Sequence, residues 1–175
     1  MSKGLKIVLL GYMASGKSTV GELLSQKLNL PFKDLDDEIE QVVGMSVEQI
    51  FDKKGELFFR KKETEILKQV MGSEDGFVLA LGGGTPCYAN NIDIVHINTS
   101  NTFYLKLTIG SLVSRISREK DKRPLVANIM DHDLPEFVGK HIFERNQFYL
   151  LAKQIIDCNQ KSVEDIAKEI SRTLI

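Results

Sequence analysis

Gly11-Tyr12-Met13-Ala14-Ser15-Gly16-Lys17-Ser18 has the spacing G-x-x-x-x-G-K-[ST]. Residues of these types at these intervals bind phosphate. Glycines let the backbone curl until successive N–H groups point into an anion-sized hollow. A helix starting here adds the positive end of its dipole. Lys17 would reach the β- and γ-phosphates of a nucleotide, and the Ser18 hydroxyl would bind Mg²⁺. A glycine-rich turn with an incidental lysine is the bland alternative. It is weakened by context, because the motif lies between a strand pattern and a helix pattern. The motif implies a bound nucleoside triphosphate and leaves open what is done with it.

Asp34 and Asp36 are the next candidates. In an extended segment, residues two apart project the same way. Both carboxylates would then leave the carboxyl end of a strand, the edge where parallel sheets bind ligands. One could hold Mg²⁺ through water, and the other could accept a proton from an attacking hydroxyl. The alternative is an acidic first helical turn, since Asp37, Glu38 and Glu40 follow.

Gly82-Gly83-Gly84 would expose backbone N–H groups to a close ligand, or form a flexible turn. Arg60 and Arg145 each sit in a helical pattern among aromatic residues. Arginine grips a carboxylate bidentately, although a surface ion-pair face explains each one alone. Arg115 to Arg123 holds five basic residues against two acidic ones. Such a loop could close as a lid and place an arginine on a transferring phosphoryl group. Contact with nucleic acid is the competing reading, and no interleaved aromatics support it. His96, His132 and His141 lack metal-ligand spacing and read as structural or surface residues.

These groups need a scaffold. Leu5–Leu10, Phe32–Leu35, Phe77–Leu81, Thr102–Leu107 and Ile155–Asp157 read as strands, several of them nearly continuous apolar runs. Helical spacing runs over Lys17–Leu28, Ser111–Arg118, Leu134–Lys153 and Val163–Leu174. Residues 36–72 are helical with breaks near Gly44 and Gly55. Ile92–Ile97 reads as a short edge strand or a loop, and 119–131 as a loop. Alternating strands and helices mean an α/β fold with a mainly parallel sheet. The stretches 36–72 and 119–131 look like excursions that cover a site.

The 175 residues suit one domain, which can bury about 70% of the surface of its unfolded chain. The net charge of −1 disfavours a generic nucleic-acid binder. That balance is local, with five acids against one base in Lys33–Glu40 and a basic excess in 115–123. Cys87 and Cys158 are too few for a disulfide scaffold or a four-thiolate zinc site, and read as free thiols in a reducing compartment. No apolar run approaches a membrane span, and the N-terminal run is short for a signal peptide. A cytoplasmic location is expected.

Together these residues resemble the shikimate kinase family of P-loop small-molecule kinases. The resemblance rests on Gly11–Thr19, Asp34-Leu35-Asp36-Asp37-Glu38-Ile39-Glu40, Gly55-Glu56-Leu57-Phe58-Phe59-Arg60 and Leu81-Gly82-Gly83-Gly84. Arg123-Pro124-Leu125 and Arg145-Asn146-Gln147-Phe148-Tyr149 complete it, so it covers nearly the whole chain. Ala14 departs from it, standing where many members have glycine. The 157–162 loop also lacks a proline often found there.

The resemblance implies a nucleoside-monophosphate-kinase-like core with a five-stranded parallel sheet flanked by helices. The chain would be a single domain, with core 1–32, 73–114 and 132–175. A substrate-binding helical excursion would span about 33–62 and a lid about 115–131. It implies transfer of the ATP γ-phosphoryl group to the 3-hydroxyl of shikimate, a step toward chorismate and the aromatic amino acids. Gly11 and Met13–Thr19, with Arg115 and Arg123, would bind the nucleotide. Asp36, Arg60, Gly82, Gly83, Gly84 and Arg145 would bind shikimate. Lys17, Asp36 and Arg123 would carry catalysis, with Mg²⁺ on Ser18 and, through water, Asp34. A monomer acting on ATP and shikimate, without nucleic acid or membrane, is expected. A gluconate or nucleoside-monophosphate kinase is the near alternative, and a non-catalytic nucleotide switch a more distant one.

Overall fold

A computed structural model describes residues 4–175 of the chain. Five parallel strands form one sheet in the order β2-β3-β1-β4-β5. They are β1 (Lys6–Leu10), β2 (Phe32–Asp34), β3 (Phe77–Ala80), β4 (Thr102–Lys106) and β5 (Gln154–Asp157). The apolar runs form β1, β3 and most of β4 because both faces of these strands are covered. Ile7 to Leu10 and Phe77 to Ala80 are all buried. Each of these side chains larger than alanine contributes about 1.5–3 kcal/mol of transfer free energy.

The chain leaves β1 toward β2 and β3, then crosses to β4 on the other side. That reversal opens a crevice beyond the carboxyl end of β1. Register brings neighbouring strand ends level, with Leu9 and Asp34 both opposite Ala80.

Nine helices surround the sheet among the described residues. Helix α1 (Lys17–Leu28) packs on α9 (Val163–Arg172) and β3, and α6 (Ile109–Arg118) packs on α8 (Leu134–Tyr149). Residues 35–72 form three helices, α2 (Leu35–Val43), α3 (Val47–Lys54) and α4 (Glu56–Gly72), interrupted at Gly44 and Gly55 as the sequence predicts. Ser46 starts α3 through a reciprocal cap with Gln49. Here α4 packs against α2, α3 and α5 (Asn91–Asn98).

Three expectations need correction. Ile92–Ile97 is neither strand nor loop but lies in helix α5, where Ile92 and Val95 bury one helical face. The 119–131 stretch is not simply a loop. It folds into a 3-10 turn (Lys120–Lys122) and the short helix α7 (Pro124–Ala127), which Pro124 starts and Val126 anchors in the core. Helix α8 stops at Tyr149 rather than Lys153. Smaller shifts occur at other ends: α6 starts at Ile109 because Thr108 caps it, accepting from the Ser111 N–H at 3.2 Å. No helix among the described residues is long and apolar enough to cross a membrane.

Candidate active site

The β1–α1 turn builds the phosphate hollow. Gly16 holds φ 93° directly before α1, and Ala14 holds φ 62°. That left-handed conformation costs a residue with a Cβ about 1 kcal/mol, which explains why glycine suits position 14. Lys17 Nζ donates to the carbonyls of Gly11 at 2.7 Å and Tyr12 at 2.9 Å. Burial pushes the Lys17 amine down to about 8, against the pull of Asp34 and Asp36.

The two aspartates do not share an extended segment. Asp34 is the N-cap of α2, and Asp36 lies in its first turn. One Asp34 oxygen accepts from the Asp36 backbone N–H at 3.0 Å, and the other accepts from the Ser18 hydroxyl at 3.0 Å. The helix start therefore orients both carboxylates, and the extended-spacing argument is wrong. Burial, then the charges of Asp34 and Glu63, push the Asp36 carboxyl up to about 6.

Two adjoining cavities meet at this point. One, of about 510 Å³, is lined by Met13, Ala14 and Gly16–Thr19, by Asp34 and Asp36, and by Arg115, Arg118, Glu119 and Arg123. The other, of about 1120 Å³, is lined by Asp36, Arg60, Glu63, Gly82–Gly84, Tyr88, His141 and Arg145 among others. Among the described residues, only Met13, Asp36, Gly82 and Gly83 line both.

In the larger cavity Arg60 Nη1 pairs with Glu63 Oε1 at 2.9 Å, and its guanidinium lies 4.0 Å from the Tyr88 ring centre. Glu63 is buried and also accepts from the Thr85 hydroxyl at 2.7 Å. Arg145 lies 5.7 Å from the Tyr12 ring centre. The Tyr149 hydroxyl donates to the Gly83 carbonyl at 2.6 Å. A methyl group on Gly84 would meet Arg60 Nη2 at 2.8 Å, so the absent side chain makes room for the guanidinium. After β4, Arg123 Nη2 pairs with Glu119 at 2.7 Å, and Arg115 Nη1 donates to the Ala14 carbonyl at 3.2 Å.

A family model for shikimate kinase matches residues 13–175. A shikimate kinase of Flavobacterium psychrophilum is 49% identical over 169 residues, covering 97% of this chain and 98% of that one. The chain belongs to the shikimate kinase family. The solved shikimate kinase of Bacteroides thetaiotaomicron superposes with a TM-score of 0.89 at 30% identity, covering 96% of this chain and 97% of that one. The Acinetobacter baumannii shikimate kinase, solved in complex with shikimate, gives 0.86 at 31%, covering 98% and 93%. A gluconokinase of Sinorhizobium meliloti gives 0.59 at 13% identity over 99% and 95% of the chains, a likeness of fold alone. Membership makes the chain an ATP-dependent phosphotransferase with a five-stranded parallel sheet, as the resemblance implied.

Most of the residues singled out in the sequence converge on the two cavities. Gly11 and Ser15 line neither one. Gly11 serves through its carbonyl on Lys17, and Ser15 is buried in the loop, its hydroxyl 3.4 Å from Lys17 Nζ. Sequence reasoning missed Glu63 and Tyr88, and named Tyr149 only as the end of the Arg145–Tyr149 run. The signals were present: Glu63 lies three residues after Arg60, and Tyr149 four after Arg145, both on one helix face. His141 is more than a surface residue, because its Nδ1 is 3.0 Å from the Tyr12 hydroxyl and it lines the larger cavity.

Proposed function

We propose that this family member phosphorylates the 3-hydroxyl of shikimate with ATP, using the two cavities as nucleotide and acceptor sites. The carrying observation is the position of Asp36, which lines both. An acceptor hydroxyl beside Asp36 is also beside the phosphate hollow. That proximity supplies the orientation on which a loose phosphoryl-transfer transition state chiefly depends.

Asp36 accepts the hydroxyl proton and holds the oxygen in line. Its raised value, about 6, leaves it ionised at neutral pH yet basic enough to take that proton. Arg60 and Arg145 face the acceptor carboxylate, and the Gly82–Gly84 backbone lies against the ring. Lys17 leaves the loop carbonyls for the β- and γ-phosphates. Residues 115–131 act as the lid, and phosphate oxygens replace Glu119 on Arg123. Arg115 stands at the nucleotide's far end.

Mg²⁺ fits the donors present. The Ser18 hydroxyl and the Asp34 carboxylate are 3.0 Å apart at the mouth of the phosphate hollow. Both offer oxygen, and Mg²⁺ takes few protein ligands beside water and phosphates. When bound it would neutralise phosphate charge. A monomer is part of this reading. A cytoplasmic location and the absence of nucleic-acid partners belong to the same proposal.

Asp36→Asn tests the assignment. Turnover should fall by at least about 10²-fold while ATP binding, measured by calorimetry, survives. Loss of ATP binding, or near-normal turnover, would remove Asp36 from this role.

A further inference from the structure

We propose that Tyr12 and His141 form a positioning pair that aligns Arg145 for the acceptor carboxylate. The proposal rests on the carboxylate-clamp reading above and gives that clamp a support outside the acceptor contacts.

The two arginines of the acceptor cavity are held differently. Arg60 is tied to Glu63 and lies near Glu56, so much of its charge is already compensated. Among the described residues, no carboxylate forms an ion pair with Arg145. Its guanidinium instead lies 5.7 Å from the Tyr12 ring centre and beside the Tyr149 hydroxyl. An arginine without a carboxylate partner keeps its full charge for an incoming anion. It also lacks the bidentate contact that would fix its direction.

Tyr12 supplies that direction. It occupies a variable position of the phosphate loop, between Gly11 and Met13, and it is buried. A buried phenol needs a partner for its hydroxyl, and His141 Nδ1 lies 3.0 Å away. His141 is four residues before Arg145 on α8, so the two side chains are neighbours on one helix face. The Phe137 ring packs against the imidazole at 4.3 Å between centres. The imidazole fixes the phenol, and the phenol ring backs the guanidinium. One side chain thus belongs to the phosphate loop by sequence and to the acceptor clamp by contact. Neither Tyr12 nor His141 need touch shikimate for this to operate.

The test compares Tyr12→Phe, His141→Leu, His141→Asn and Arg145→Gln by steady-state kinetics with each substrate varied. Tyr12→Phe removes one oxygen and keeps the ring, so folding should be retained, which a thermal melt checks. It should raise the shikimate KM about fivefold, the effect of one neutral hydrogen bond, with the ATP KM and kcat changing less than twofold. His141→Leu should do the same. His141→Asn, which keeps an acceptor near the Nδ1 position, should restore the parent KM. The double variant Tyr12→Phe/His141→Leu should be no worse than either single change, because both remove the same bond. If Arg145→Gln raises the shikimate KM and Tyr12→Phe does not, the positioning pair is wrong and the clamp stands. Equal rises in both KM values would also overturn the pair, as general disruption of the loop. An unchanged shikimate KM in Arg145→Gln would overturn pair and clamp together.

Discussion

The Ser18 hydroxyl donates to the Asp34 carboxylate across 3.0 Å, joining the first turn of α1 to the last residue of β2. The same carboxylate caps α2 by accepting from the Asp36 N–H. One side chain therefore fixes the distance between the phosphate hollow and the proposed base. The sheet order makes this possible, because β2 and β1 flank β3 and their carboxyl ends are level.

A half-buried carboxylate placed for chemistry carries a cost in stability. Asp36 holds its proton to about 6, above its ordinary 3.8, mainly through burial. The sign follows: stability is lost as pH rises from 3.8 to about 6, because the folded state then retains a proton that the unfolded chain gives up. Asp36→Asn should stabilise the free protein at pH 7.5 by on the order of 1–3 kcal/mol, several degrees in Tm. The gain should vanish near pH 4. Melts of both proteins from pH 4 to 8 check this, and a pH-independent difference would contradict the assigned cause.

Gly84 makes room for Arg60. A methyl group there would meet Arg60 Nη2 at 2.8 Å and Nη1 at 3.1 Å, with the Tyr88 ring also against the guanidinium. Gly84→Ala should therefore push the guanidinium aside. The shikimate KM should rise about tenfold, the loss of one charge-assisted contact, while the ATP KM stays near the parent value. A larger effect on ATP would show that Gly84 serves the nucleotide instead.

Lys17 rests on two loop carbonyls, and burial lowers its amine to about 8. Phosphates would raise it again by adding negative charge beside the ammonium. ATP binding at pH 8.5 should therefore take up a substantial fraction of a proton, and little at pH 6.5. Calorimetry in buffers of different ionisation enthalpy measures this uptake. A binding enthalpy independent of buffer at pH 8.5 would contradict it.

The elements that position the site could be read from the chain where one principle dominated. β1 and β3 are apolar because they are buried on both faces, and the phosphate motif fixes the turn after β1. The breaks near Gly44 and Gly55 were equally visible. Ile92–Ile97 was not, because six residues do not separate a period of two from one of 3.6; burial of Ile92 and Val95 decided for a helix. The extended reading of Asp34 and Asp36 failed because β2 ends at Asp34, where its own side chain caps a helix. Glu63 and His141 gain their meaning from Thr85 and Tyr12, partners 22 and 129 residues away. A linear spacing cannot show such pairs.

The central claim is that the larger cavity takes a hydroxylated ring acid and presents it to Asp36. The most direct test measures ADP release with shikimate, quinate, gluconate and nucleoside monophosphates as acceptors, followed by identification of the phosphorylated product. The predicted result is strong stimulation by shikimate, with phosphate on its 3-hydroxyl. No stimulation by shikimate, or a nucleoside monophosphate or gluconate as the preferred acceptor, would contradict it.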